Sequence, residues 1–282
     1  MRRGQGVVSD AGEGRAVFPV AEWEPPVALA PAARRVEAGV LVAAGTAGLL
    51  GAWAVLSWAL GGRTLPDPVA VARLLWLDTW SGVLPYHLGV TMARVLLAAA
   101  AALAGGGVLG IATGLSPRID AVLAPWIVAG LAMPRLVVIV VAYLLVGLNE
   151  AAAVLATALA VAPGVTVALK EGIRAMDWGL VDMARAFRVP PVRRWRYVVW
   201  PQLIPYVAGC VRNALSLSLK MVVFAELMGR SSGLGYQIAF YFQMFNMGQI
   251  LAYGSAAVIV AALLELALRL AERRIHRWRS AG

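Results

Sequence analysis

The sequence predicts an all-α integral membrane protein with six transmembrane helices, both termini on the cytoplasmic side, and a short cytoplasmic helix between the fourth and fifth spans. Three observations carry that prediction. The 282 residues are 61% hydrophobic and only 14% charged, with a mean hydropathy of +0.76, whereas a soluble globular domain is about a quarter charged. Six apolar stretches are each long enough, at about 20 residues, to cross a ~30 Å hydrocarbon core as a helix. The cations gather at the two ends and in one internal stretch, Lys170–Gln202.

Residues 1–38 mix Arg2, Arg3, Glu13, Arg15, Glu22, Glu24, Arg34 and Arg35 with glycines and prolines and contain no apolar core of a signal peptide. They read as a disordered or surface-lying cytoplasmic tail. Residues 39–86 hold the first span, Val40–Leu60, and a loop, Gly61–Tyr86, in which Arg63 and Arg73 balance Asp67 and Asp78. Residues 87–272 carry the other five spans: His87–Leu115, Ala121–Gly147, Ala151–Leu169, Leu203–Met228 and Ile250–Leu270. The second is long enough to tilt or to extend past the bilayer. Pro125 and Pro134 predict a kink or break in the third. Residues 273–282 form a basic tail, and the loop Gly229–Gln249 has a single charge, Arg230. Positive-inside bias puts both tails and the Lys170–Gln202 loop in the cytoplasm. Six spans also require the termini to share a side, so the two arguments agree.

The net charge of +10 fits orientation signals and anionic lipid headgroups better than nucleic acid, because the cations flank apolar segments. One cysteine, Cys210, excludes an intramolecular disulfide and a multi-thiolate metal site; it reads as a small packing residue. His87 and His276 have no metal-ligand spacing, and His87 reads as interfacial. No nucleophile–base set can be assembled. The run Ala98–Ala102 followed by Gly105, Gly106, Gly107 and Gly110 predicts close helix packing.

Within the basic loop, Leu180, Met183, Ala184 and Phe187 recur at i, i+3, i+4 and i+7, while Asp182, Arg185 and Arg188 fall on another face; Pro190 and Pro191 end the pattern. The pattern alone leaves two readings open, a helix on lipid headgroups or one that docks on a partner. In the fifth span, Asn213, Ser216 and Lys220 form one polar stripe. Either the stripe lines a path and Lys220 favours an anion, or Lys220 snorkels or pairs with a carboxylate on another helix. Glu226 stands four residues before Arg230, as an i, i+4 pair would. Gly233-Leu234-Gly235-Tyr236 has glycines suited to a tight turn.

The stretch DMARAFRVPPVRRWRYVVWPQLIP, residues 182–205, resembles the "EAA" loop of bacterial ABC-importer membrane subunits. Asp182, Met183 and Ala184 stand for E-A-A, Pro201 for the loop's later proline, and Arg188 replaces the family's glycine. HLGVTMARV, AMPRLVVIVVAYLLVGLNE and LSLKMVVFAELMGRSSGLGYQI are similar, in order, to segments of the nitrate/sulfonate/taurine subgroup of these permeases. The resemblance implies that Asp182, Met183, Ala184, Arg185, Ala186, Phe187 and Arg188 couple to a separate ATPase. It implies a second copy of this chain, two ATPase subunits that use ATP and Mg, and an extracytoplasmic solute-binding protein meeting Gly233–Tyr236. It also implies a frequent glutamate at position 226, with a gating or structural role; Asn213, Ser216, Lys220 and Glu226 are the candidate path residues. The chain has no G-x-x-x-x-G-K-[ST] phosphate loop of its own, and no cofactor is expected on it. The competing reading is an ion-coupled secondary carrier, which needs titratable groups near the midplane, where only Lys220 is evident. The cargo is not legible in the residues; the resemblance implies a small anionic solute of the nitrate, sulfonate or taurine kind, in a subgroup whose cargoes also include bicarbonate and vitamin precursors.

Overall fold

In the computed structural model, residues 31–62 and 64–276 are described, with side chains from 39 to 272 apart from 63. The expected N-terminal tail falls outside them up to residue 30, and helix already begins at Pro31. The end of the basic C-terminal tail, 277–282, also lies outside. The described residues are helical and contain no strand. Two compact units are distinguished. Met1–Ala52 contains the first part of α1 (Pro31–Leu60), and Trp53–Gly282 contains everything that follows.

The second unit runs α2 (Pro68–Trp80), α3 (Val83–Leu115), α4 (Pro117–Ala132), α5 (Arg135–Val146), α6 (Glu150–Arg174), α7 (Trp178–Ala186), α8 (Pro191–Arg194), a π turn (Trp195–Val199), α9 (Trp200–Gly229), α10 (Leu234–Gln243) and α11 (Met247–His276). Starts are set by local chemistry. Asp67, Ser116, Asn149 and Asp177 accept backbone N–H bonds from residues three further on, and Pro68 and Pro117 occupy the first helical position. The π turn has a similarly local cause. Pro201 has no N–H to offer Tyr197, and the ladder steps to Trp200 N–H donating to Trp195 C=O.

Five helices are long and apolar enough to span a membrane, α1, α3, α6, α8–α9 taken together, and α11. The expected continuous third span is instead two helices, α4 and α5, bent by 100° at Met133–Pro134. Pro125 is accommodated inside α4; the break falls where Pro134 meets the chain. The basic loop also begins later than expected, because α6 stays helical to Arg174, where Lys170 and Arg174 both pair with Asp120 at 3.1 and 2.7 Å. Two short helices, α2 and α10, occupy stretches that read as loops.

Glycines show how the bundle runs. A Cβ on Gly106 would lie 2.6 Å from the Ala162 carbonyl, on Gly110 2.8 Å from that of Thr166, and on Gly114 2.9 Å from Ile173 Cβ. Successive turns of α3 therefore meet successive turns of α6 in the same direction, and the two helices are parallel. Their backbones approach through a small-residue groove, as packing in lipid favours. Two parallel spans need a connection that crosses the whole bilayer, so the α4–α5 pair is a broken span and not a loop that returns to its own side. The core beside this seam is made mostly of small side chains, among them Ala102, Ala152, Ala156, Val161, Val165, Ala214 and Cys210.

Candidate functional site

At the end of the bundle where α3 and α6 finish, α7 lies across the surface. Val181 and Ala184 turn inward and are buried. Leu180, Met183 and Phe187 face out, Phe187 at 77% exposure. Ala184 thus belongs to the packed side and not to the exposed stripe. Asp182 and Arg185 pair at 2.9 Å, both exposed, an arrangement worth little to stability. Behind α7 is a hollow of about 320 Å³ reached by Leu115, Ile173, Trp178, Val181 and Arg185. The helix closes in a Schellman turn: Arg188 N–H donates to Arg185 C=O and Val189 N–H to Ala184 C=O. Arg188 sits at φ +54°, so it takes the left-handed conformation for which glycine is the usual residue. The substitution seen in the sequence keeps the turn. Pro201 is half-buried at the head of α9.

On α9, Asn213 and Lys220 are exposed and Ser216 is half-buried, all on one stripe. Ser216 Oγ lies 3.4 Å from Glu265 on α11, whose carboxylate also pairs with Arg212 and with Arg269. Arg212 also lies 3.4 Å from Glu272. Lys220 makes no ion pair with any described residue. It stands nine residues before the end of α9 at Gly229, or about 14 Å at the helical rise, close to half the depth of a bilayer.

Glu226 does not share that stripe. It is fully buried on another face of α9, and its expected pairing with Arg230 is not made. Arg94 of α3 takes that place, donating from Nη1 at 2.7 Å. Arg94 also grips Glu150 through Nε and Nη2 (2.6 and 2.7 Å) and reaches Ser232 through its carbonyl and hydroxyl (2.7 and 2.9 Å). Arg230 pairs with Glu150 and donates to Leu148 C=O at 2.9 Å. Two guanidiniums and two carboxylates make a neutral lattice joining α3, α6, α9 and the 230–233 segment.

This lattice also caps α10. The first N–H groups of a helix lack internal partners. Here Gly233 N–H donates to His87 Nδ1 (3.0 Å), Leu234 N–H to Thr91 Oγ1 (2.9 Å) and Gly235 N–H to Glu226 (3.0 Å). A carboxylate at this end also meets the positive pole of the helix. Because His87 Nδ1 accepts, its Nε2 carries the proton, which the adjacent Gln237 amide accepts only through its oxygen. His87 is therefore a buried structural residue and not an interfacial one. A Cβ on Gly233 would run into the Glu226 carboxylate, and one on Gly235 into Val223 C=O. Gly233, Leu234 and Gly235 are buried; only Tyr236 of that group is partly open. They form the seat of the segment and not its outer surface. Arg94, Thr91 and Glu150 were not singled out in the sequence. An arginine amid apolar residues in the second span was the available signal.

Among the described residues no group of three or more His, Cys, Asp or Glu side chains is disposed to hold a metal ion.

Residues 106–280 match the family model described as "Binding-protein-dependent transport system inner membrane component". The chain belongs to this family. Curated members similar to it include the aliphatic sulfonates permease SsuC of Escherichia coli, putatively so named, at 30% identity over 83% of this chain and 90% of that one. The like-named SsuC of Bacillus subtilis is 29% identical over 77% and 79%, respectively. The taurine permease TauC of Escherichia coli is 28% identical over 68% and 70%. A solved amino acid ABC transporter chain shares the fold, with a TM-score of 0.59 at 20% identity, over 71% of this chain and 97% of its own.

Proposed function

We propose that this inner-membrane transport component is the permease subunit of an ATP-driven importer for a small anion of the sulfonate or taurine type. In this reading two copies pair, both sets of termini lie in the cytoplasm, and α7 is the coupling helix held by each of two ATPase subunits that consume ATP and Mg. An extracytoplasmic solute-binding protein delivers the cargo. Nucleotide-driven closure of the ATPases moves the docked helices together and rocks the spans between two states.

The observation that carries the reading is the exposed apolar triad Leu180, Met183 and Phe187 on a capped helix between basic segments. A helix resting on lipid would bury those side chains too; membership of a binding-protein-dependent transport family supports a partner ATPase as the occupant. The stripe Asn213–Ser216–Lys220 supports a polar path between the two copies. An unpaired ammonium at mid-bilayer depth is costly against lipid and tolerable against water or a partner. Glu226 is better read as a structural brace than as part of that path.

The test is uptake into proteoliposomes carrying the permease with its ATPase and solute-binding protein. Phe187→Asp should leave the membrane fold intact and abolish ATP-driven uptake, with the ATPase lost on purification; uptake that survives ATP depletion would refute the importer reading. In the same assay Lys220→Met should raise the KM for the anion, and unchanged transport would remove Lys220 from the path.

A further inference from the structure

Two non-glycine residues among those described have positive φ, Arg188 at +54° and Phe245 at +53°. They lie at opposite ends of the bundle and in the same motif. At the end of α10, Phe245 N–H donates to Phe242 C=O and Asn246 N–H to Tyr241 C=O, the Schellman pattern that closes α7. An aromatic residue is poorly suited to this position, where glycine is favoured on steric grounds. A buried ring would offset the strain, yet Phe245 is 92% exposed and gains no burial within its own chain.

Phe245 stands on the rim of a cleft of about 900 Å³ between α2 and the α10–α11 turn, lined also by Asp67, Arg73, Leu77 and Asn246. The carboxylate of Asp67 is engaged in capping α2, and Asn246 caps α11. Arg73 forms no ion pair with the described residues and is exposed. The cleft therefore offers one uncommitted cation beside an unsupported aromatic knob. Its floor is firm, since α10 is pinned at its other end by Glu226, Thr91 and His87.

We propose that this cleft is the docking surface for the solute-binding protein, with Phe245 entering an apolar hollow on that protein and Arg73 receiving a carboxylate from an acidic protrusion. The inference rests on the importer reading. The occupant follows from the place and chemistry of the surface. It lies at the end opposite α7, in a family that depends on a binding protein, and a mostly apolar wall (Val69, Leu74, Leu77, Met244, Met247) broken by the charged Arg73 suits a protein protrusion with an acidic tip. Buried aromatic and arginine contacts are also the residue types that dominate protein interfaces.

Phe245→Gly separates fold from docking because the two demand opposite signs. Glycine relieves the turn, so thermal stability in detergent should hold or rise. Binding-protein affinity for the reconstituted complex should fall by roughly tenfold or more, as for loss of an interface anchor, with basal ATPase activity unchanged. Arg73→Glu should weaken the same affinity and reduce its sensitivity to salt. Wild-type affinity in Phe245→Gly, or a loss confined to stability or lipid association, would overturn the proposal. Absence of any binding-protein stimulation in the wild-type complex would instead overturn the importer reading beneath it.

Discussion

Arg94 holds two carboxylates and the carbonyl and hydroxyl of Ser232 at a depth where no water is needed to satisfy it. Such a lattice is tolerated because each charge has an opposite partner and further hydrogen bonds; removing Arg94 strands the buried Glu226, while the exposed Glu150 keeps Arg230. Arg94→Met should therefore destabilise the protein by roughly 3–5 kcal/mol, read as a large drop in melting temperature in detergent. Adding Glu226→Met should recover part of the loss, since an uncompensated buried carboxylate goes with it. A milder single-variant effect that Glu226→Met deepens would show that the pair is not coupled. The same logic explains why Glu226 prefers a partner in another helix to Arg230 on its own: α9 ends at Gly229, and Arg230 has left the helix with extended backbone.

At the scale of elements, the parallel seam between α3 and α6 sets the spacing of the bundle. Gly106, Gly110 and Gly114 recur every four residues and put backbone against backbone. Gly110→Val should force α3 and α6 apart at a cost of about 1–3 kcal/mol, as overpacking does. Gly107→Ala, in the same run, should be nearly neutral, because its Cβ would meet only Leu169 Cδ1 at an ordinary 3.6 Å. Thermal unfolding of the two variants side by side checks both, and equal losses would mean that the seam does not govern packing. The glycine-rich composition of this stretch was legible in the sequence. Which glycines face the partner was not, because Gly105 has open space and Gly106 has none.

At the scale of the molecule, the helix directions make a sidedness prediction. Ser116 and Asp182 lie at one end of the bundle, Leu148 and Phe245 at the other. In a Cys210→Ala background, cysteines at the first two positions should react with a membrane-impermeant maleimide only from the cytoplasm. Cysteines at the second two should react only from outside. Leu148 labelling from the cytoplasm would turn the α4–α5 pair into a re-entrant hairpin and reverse everything after it. The spans and the basic ends were readable because apolar length and local charge are sums over neighbouring residues. Pro134 likewise foretold a break in the third span, but not its 100° angle. The helices α2 and α10 escaped because they are too short for an apolar-length criterion, although Asp67-Pro68 is a legible helix start.

By itself the sequence determined the helical membrane body, the amphipathic segment at 180–188 and the family to which these features point. Tertiary structure alone decided that α3 and α6 pack directly on each other through Gly106, Gly110 and Gly114, that Glu226 belongs to Arg94, and that the glycines at 233 and 235 seat α10 on a buried carboxylate. The physical reason is distance along the chain. Apolar length, capping and periodicity are local, whereas Arg94 meets residues 56 and 132 positions away, and no local pattern specifies which of several carboxylates a buried cation will find.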